Sequence, residues 1–204
     1  MPTAETPVSD DSLANLVEEV SQRLLLLTDG EHPAYVGSEL PAVDRVLSRI
    51  QKEGLARGPV FCEWGSGLGG VCGVAAINGF RPYGIEIQRE LVASARSLAS
   101  DLNYDMVFAE GTFLLPGDEK LAAGAHSHTR LEFNTRAWDE MQLTPEDCDV
   151  VFAYPWPNED TFIDSVFSRH ASANSLLLTF HDLGRMLVQR KVSHHTQLRT
   201  LGWM

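Results

Sequence analysis

The chain has 204 residues, 44% hydrophobic and 22% charged, which suits one globular domain with room for a full α/β core. A formal charge of −12 and a pI near 4.9 count against a nucleic-acid partner, because phosphates are held largely by lysine and arginine. No apolar run approaches a membrane span, and the start lacks the basic and apolar segments of a signal peptide. Cys62, Cys72 and Cys148 make no disulfide framework, so a cytoplasmic protein without a membrane partner is expected.

Residues 1–11 read as a loose tail ahead of a single domain at 12–204. Leu13, Leu16, Val17, Val20 and Leu24 recur at helical spacing, which predicts an amphipathic helix over 12–27. A second helix carries Pro41 in its first turn and Val43, Val46, Leu47 and Ile50 on one face, and Gly54 and Gly58 end it. These two helices make up an N-terminal part at 12–53.

Alternation follows. Strand 59–63, helix 70–78, strand 82–86, helix 88–101 and strand 104–109 succeed one another. A segment at 110–147 interrupts the rhythm before strand 149–153. Asn158 is placed to cap a helix over 159–169, with Glu159 and Asp160 at its positive end. Ser175–Phe180 reads as a fifth strand, and Arg185–Val192 with Thr196–Trp203 as a short closing hairpin. Repeated βα units predict a doubly wound, mostly parallel α/β sheet flanked by helices, with its ligand at the carboxyl ends of the strands.

The most informative stretch is Pro59–Gly70, where an apolar run ends in Glu63 and Gly65-Ser66-Gly67-Leu68-Gly69-Gly70 follows. Strand, glycine-rich turn and helix bring bare backbone N–H groups up to a ligand. The stretch resembles the first motif of the class I S-adenosylmethionine (SAM)-dependent methyltransferases, an acid followed by G-x-G-x-G in a Rossmann-like fold. Gly65, Gly67 and Gly70 also spell the dinucleotide fingerprint G-x-G-x-x-G, so this segment alone leaves a nicotinamide (NAD) enzyme open. The resemblance spans roughly residues 35 to 192 and implies SAM as cofactor, contacted at Glu63, Gly65, Ser66, Gly67 and Gly69.

Later strand ends extend it. Glu86 closes the second strand about twenty residues past the first glycine, where a carboxylate accepts ribose hydroxyls, and Ile87 would line an adenine pocket. Glu110-Gly111 resembles the family's third motif at the adenine edge, although acid-glycine is also a common turn dipeptide. Tyr35, ahead of the second helix, matches the region that folds over SAM as a lid in many members.

Tyr154-Pro155-Trp156-Pro157 favours methyl transfer over hydride transfer. A stiff proline loop with ring faces can orient a donor and stabilise a sulfonium methyl. It is similar to the aromatic-proline motif of amino-group methyltransferases and to a Pro-Trp-Pro segment of a tRNA guanine-N7 methyltransferase family. Tyr154 stands where the former carry Asn, Asp or Ser, and the acid of the latter is missing.

Tyr154, Pro155 and Trp156 are therefore expected to orient the acceptor, with Tyr154, His181 and Asp182 the positions for a base. The pairs His126/His128 and His194/His195 lack further ligands at helical spacing, so no metal site is expected. The 110–147 insert, with Phe133, Trp138 and Met141, emerges on the substrate side. The expected function is SAM-dependent methylation of an N or O atom on a small molecule or protein, with RNA disfavoured. The alternatives are a non-catalytic SAM-binding module and an NAD-dependent oxidoreductase.

Overall fold

The computed structural model describes residues 10–28, 37–122, 132–181, 185–192 and 197–203. Tyr35, Asp182, His126, His128, His194 and His195 lie outside the described residues. Two helices, α1 (Asp10–Thr28) and α2 (Leu40–Lys52), precede the alternating part: β1 (Val60–Trp64), α3 (Gly70–Ile77), β2 (Arg81–Glu86), α4 (Arg89–Leu102) and β3 (Val107–Glu110). Then come α5 (Arg136–Met141), β4 (Val150–Ala153), α6 (Asp160–His170), β5 (Leu176–His181), β6 (Arg185–Lys191) and β7 (Leu198–Trp203).

The strands form one sheet in the order β3-β2-β1-β4-β5-β6-β7. The first five run parallel, and β6 and β7 join antiparallel. Strand order reverses between β1 and β4, the switch point where open α/β sheets place ligands. Strands β1, β4 and β5 are almost continuously apolar because helices cover both faces. One face buries Phe61, Phe108, Phe152 and Leu178 under α1 to α4, and the other buries Trp64, Val151 and Leu177 under α5 and α6.

Several expected boundaries move. Helix α4 ends at Leu102 with Asn103 in the left-handed region (φ 53°), so the third strand starts at Val107, three residues later than the pattern suggests. Asn158 also takes a positive φ, 72°, and the N-cap of α6 falls on Glu159. Only residues 182–184 separate β5 from β6, too few for a further helix between them.

Two carboxylates brace the frame. Asp149 accepts from the Val60 N–H at 2.8 Å and pairs with Arg57 Nε at 2.8 Å, tying the start of β1 to that of β4. Asp118, with no exposed surface, takes His170 Nε2 at 2.8 and 3.0 Å and Arg169 at 3.4 Å. It also accepts from the Leu115 N–H at 2.9 Å, which pins the loop after β3 to the end of α6.

Gly84, inside β2, is required by packing. A Cβ there would stand 2.5 Å from the Phe108 ring and 2.7 Å from Ser66 Cβ, a contact between a strand and the glycine turn. Overpacking of this kind costs about 1–3 kcal/mol. Gly84→Ala is expected to lower the thermal midpoint by about 3–10 °C, read by circular dichroism. An unchanged midpoint would show that Phe108 and the turn relax freely.

Candidate active site

Four loops converge at the carboxyl edge of the parallel strands. The turn after β1 hangs from the end of β2: the N–H groups of Gly65 and Ser66 both donate to the Ile85 carbonyl at 2.9 Å. Gly67 donates its N–H to Glu86 Oε2 at 3.0 Å, and Gly69 donates to the Ser66 carbonyl at 2.8 Å. Gly65 has φ 77°, is exposed, and has no described atom within 4 Å of where a Cβ would stand. A side chain would therefore project into open space at the mouth of the turn. Gly69 differs: its Cβ would meet the Phe108 ring at 2.7 Å, so it faces the core and serves packing.

Glu63 lies beneath this turn, 5% exposed, and accepts from the Cys72 N–H in the first turn of α3 at 3.1 Å. It thus serves a helix whose N-cap residue, Gly69, has no side chain to offer. Burial pushes the Glu63 carboxyl up to about 8, opposed by the bonds from Cys72 and reinforced by the Glu86 charge. The acid read from the motif is a buried supporting group close to the turn.

Glu86 closes β2 with Oε1 accepting from the Gln88 N–H at 2.9 Å and Oε2 from Gly67. Burial raises its pKa, and backbone N–H bonds from Gln88, Gly67 and Ile87 oppose the rise. A carboxylate has about four acceptor sites, so capacity remains for a ligand hydroxyl. Ile87 is half-buried beside it. Glu110 pairs with Glu86 across the ladder, and Gly111 donates its N–H to the Glu86 carbonyl at 2.9 Å. The ends of β1, β2 and β3 therefore form one hydrogen-bonded unit containing Glu63, Gly65, Ser66, Gly67, Glu86, Ile87, Glu110 and Gly111.

The acceptor-side loop follows β4. Tyr154 packs its ring edge-on to Phe180, with centroids 5.0 Å apart, while Trp156 is 36% exposed and Pro155 half-buried. Tyr154 is thus anchored, and Trp156 is the ring that faces solvent. Beside the loop, Thr179 Oγ1 and His181 Nε2 lie 2.9 Å apart, a hydrogen bond whose direction follows the imidazole tautomer. His181 Nδ1 stands 3.6 Å from Asp160 Oδ1.

Two of the three insert residues expected on the substrate side face the core. Trp138 and Met141 of α5 are buried in the core on the α6 side, and Trp138 Nε1 donates to the Phe113 carbonyl at 3.2 Å. Phe133 is half-buried. The residues that sequence reasoning missed are Trp64, stacked on Phe113 at 4.7 Å, and the polar set Thr179, Asp160, Asp164 and Gln189. Trp64 Nε1 and Ser66 Oγ are buried without a hydrogen-bond partner among the described residues. Among those residues no cluster of His, Cys, Asp or Glu could hold a metal ion, and no helix is long and apolar enough to cross a membrane.

The raised Glu63 carboxyl makes stability pH-dependent. The folded chain keeps the proton up to about pH 8, whereas an unfolded glutamic acid releases it near 4.5. Stability therefore falls as pH rises between those values, at most about 1.4 kcal/mol per pH unit from one group, and levels off above. Glu63→Gln is expected to flatten the decline seen by urea unfolding at pH 5, 6.5 and 8. An equal slope in the variant would assign the effect to other groups.

No protein-family model matches the sequence, and no curated protein matches it either. Among solved structures, an O-methyltransferase from Bacillus cereus in complex with S-adenosylhomocysteine (SAH) is similar at a TM-score of 0.52 and 14% identity, over 84% of this chain and 66% of that one. An RNA methyltransferase from Salinibacter ruber in complex with SAH is 19% identical over 71% of this chain and 76% of that one, at a TM-score of 0.47. A magnesium protoporphyrin IX methyltransferase from Synechocystis with bound SAH is 17% identical over 69% and 54%, at 0.43. The chain spans about two thirds of the length of the Bacillus cereus enzyme. Likeness at this identity is a likeness of fold, and with the strand order above it gives the chain a Rossmann-like α/β fold, shared with that O-methyltransferase.

Proposed function

We propose that the chain is a SAM-dependent methyltransferase that acts on an N or O atom of a small molecule or protein. The observation that carries this reading is the pairing of open space at Gly65 with the Glu86 carboxylate one strand away, both fixed by the same turn. A nucleoside cofactor fits that donor set. The turn lets a ligand approach bare backbone, and Glu86 supplies an acceptor for ribose hydroxyls. Ile87 would lie along the adenine, and Glu110 with Gly111 would meet its edge. Glu63 would act from below, by fixing α3 and the turn, and Tyr35 would act as a cover, a role tested by its substitution.

The cofactor supplies a methyl group already activated on a sulfonium, so the chain has to hold, orient and exclude water. Pro155 and Pro157 stiffen the loop, Tyr154 anchors it on Phe180, and the exposed Trp156 offers a ring face to a positively charged methyl donor or substrate. The acidic surface of a chain with net charge −12 favours a small-molecule or protein acceptor over RNA.

Thermal unfolding of ligand-free protein with SAM, SAH or NAD added separately tests the reading. At a hundredfold excess over the dissociation constant, SAM and SAH are expected to raise the midpoint by roughly 5–10 °C, and NAD to leave it unchanged. Gly65→Val is expected to weaken SAH at least tenfold, about 1.4 kcal/mol. A response to NAD alone would replace the reading with an oxidoreductase. Binding of SAM without turnover across an acceptor screen would replace it with a non-catalytic module.

A further inference from the structure

One polar cluster runs down the flank of α6 from the carboxyl edge of the sheet and has no part in holding a nucleoside. Asp160 and Asp164 sit one turn apart on α6 and share a face. That face meets β5 and β6: His181 reaches Asp160, and Gln189 Nε2 donates to Asp164 Oδ2 at 3.4 Å. Gln189 is 7% exposed, and its Oε1 is buried with no hydrogen-bond partner among the described residues. The amide fixes that oxygen next to Nε2, hence next to Asp164.

The cluster is therefore rich in acceptors. Two carboxylates, an amide oxygen and an imidazole line this flank in two pairs, and among the described residues no lysine or arginine is seen paired with either carboxylate. Arg185, opposite His181 in the ladder, has an interaction of its own. Burial raises the Asp164 carboxyl, Gln189 and His181 oppose the rise, and Asp160 adds to it. The described residues do not make a metal cluster there, which leaves an organic cation with several N–H donors as the matching chemistry.

The location matches the acceptor side. Thr179 pairs with Ala153, the residue before Tyr154, and Asp160 follows Pro157 by three positions. Asp160 remains 52% exposed at its side chain, so the cluster opens to solvent, next to the loop that carries the exposed Trp156. We propose that Asp160, Asp164 and the Gln189 amide oxygen bind an ammonium or guanidinium group of the methyl acceptor, making the substrate class a positively charged amine. That the bound cation is the methyl acceptor rests on the methyltransferase reading; the cation site does not.

The test titrates the full chain with agmatine and n-butylamine, with n-butanol as the uncharged match, at constant ionic strength and with SAH in a parallel arm. Agmatine and butylamine are expected to raise the thermal midpoint by several degrees, and butanol to leave it unchanged. Asp164→Asn, which keeps the shape of the side chain, is expected to weaken agmatine at least tenfold while the SAH response persists. Gln189→Leu is expected to do the same, and if it fails to fold the asparagine variant decides. A response to SAH with none to either amine overturns the cation site, as does full agmatine affinity in Asp164→Asn. A response to amines with none to SAH supports the cation site and overturns the methyltransferase reading.

Discussion

Gly65 and Ser66 give both their N–H groups to the Ile85 carbonyl, Gly67 gives its own to the Glu86 carboxylate, and Gly111 gives its N–H to the Glu86 carbonyl. The last two residues of β2 thus hold the loops after β1 and β3. The parallel register fixes where these ends lie, with Trp64 beside Ile85 and Glu86 beside Glu110. Three motifs far apart in sequence become one rigid edge through four backbone donors. The turn can take this form because Gly65, Gly67 and Gly69 adopt φ of 77°, 50° and 81°, a region costly for other residues.

That edge is built around two carboxyl groups with little water. Glu63 sits under the turn against the start of α3, and Glu86 sits at its rim. Like charges in a dry site oppose each other, and the Glu86 charge helps to push the Glu63 carboxyl to about 8. Near neutral pH, Glu63 is therefore largely protonated. The helix dipole and the Cys72 N–H work against this, but desolvation is the largest cause and wins. Under the methyltransferase reading, a cationic ligand above the turn would draw Glu63 back toward its ionised form. Cofactor binding and proton release would then be linked.

The parts legible in the sequence are those with local causes. An apolar run ending in an acid and glycines defined β1 and its turn, and spaced apolar residues defined α2 and α4. The third strand was misplaced because Tyr104 and Met106 look like strand residues, yet Asn103 ends α4 in a left-handed conformation and Met106 bonds back to Tyr104. Gly69 reads as a ligand glycine, but the ring that requires it, Phe108, is thirty-nine positions away. Trp138 and Met141 look like an insert's specificity residues until α5 is seen to face the core. Asp160 reads only as an acid at the positive end of its helix and Asp164, Thr179 and Gln189 carry no signal, since helical acids usually mark a solvated face and the four come from three elements.

The short passage from β5 to β6 explains why that last group exists. With three residues between the strands, β6 must fold back beside β5, and its side chains line the flank of α6. Leu177 on β5 faces Gln189 on β6, and the next inward positions on the other face, Met186 and Val188, are apolar and buried. A leucine at 189 would satisfy packing and leave no orphaned oxygen. Gln189 instead makes a single 3.4 Å bond, at the long limit for a useful hydrogen bond, and buries its other polar atom. Stability alone does not favour that choice, because an unmet buried acceptor costs about 1–3 kcal/mol. A cation held between the amide oxygen and the carboxylates would meet that acceptor and Asp164 together, on the flank of α6 that leads from Asp160 at the carboxyl edge down to Gln189.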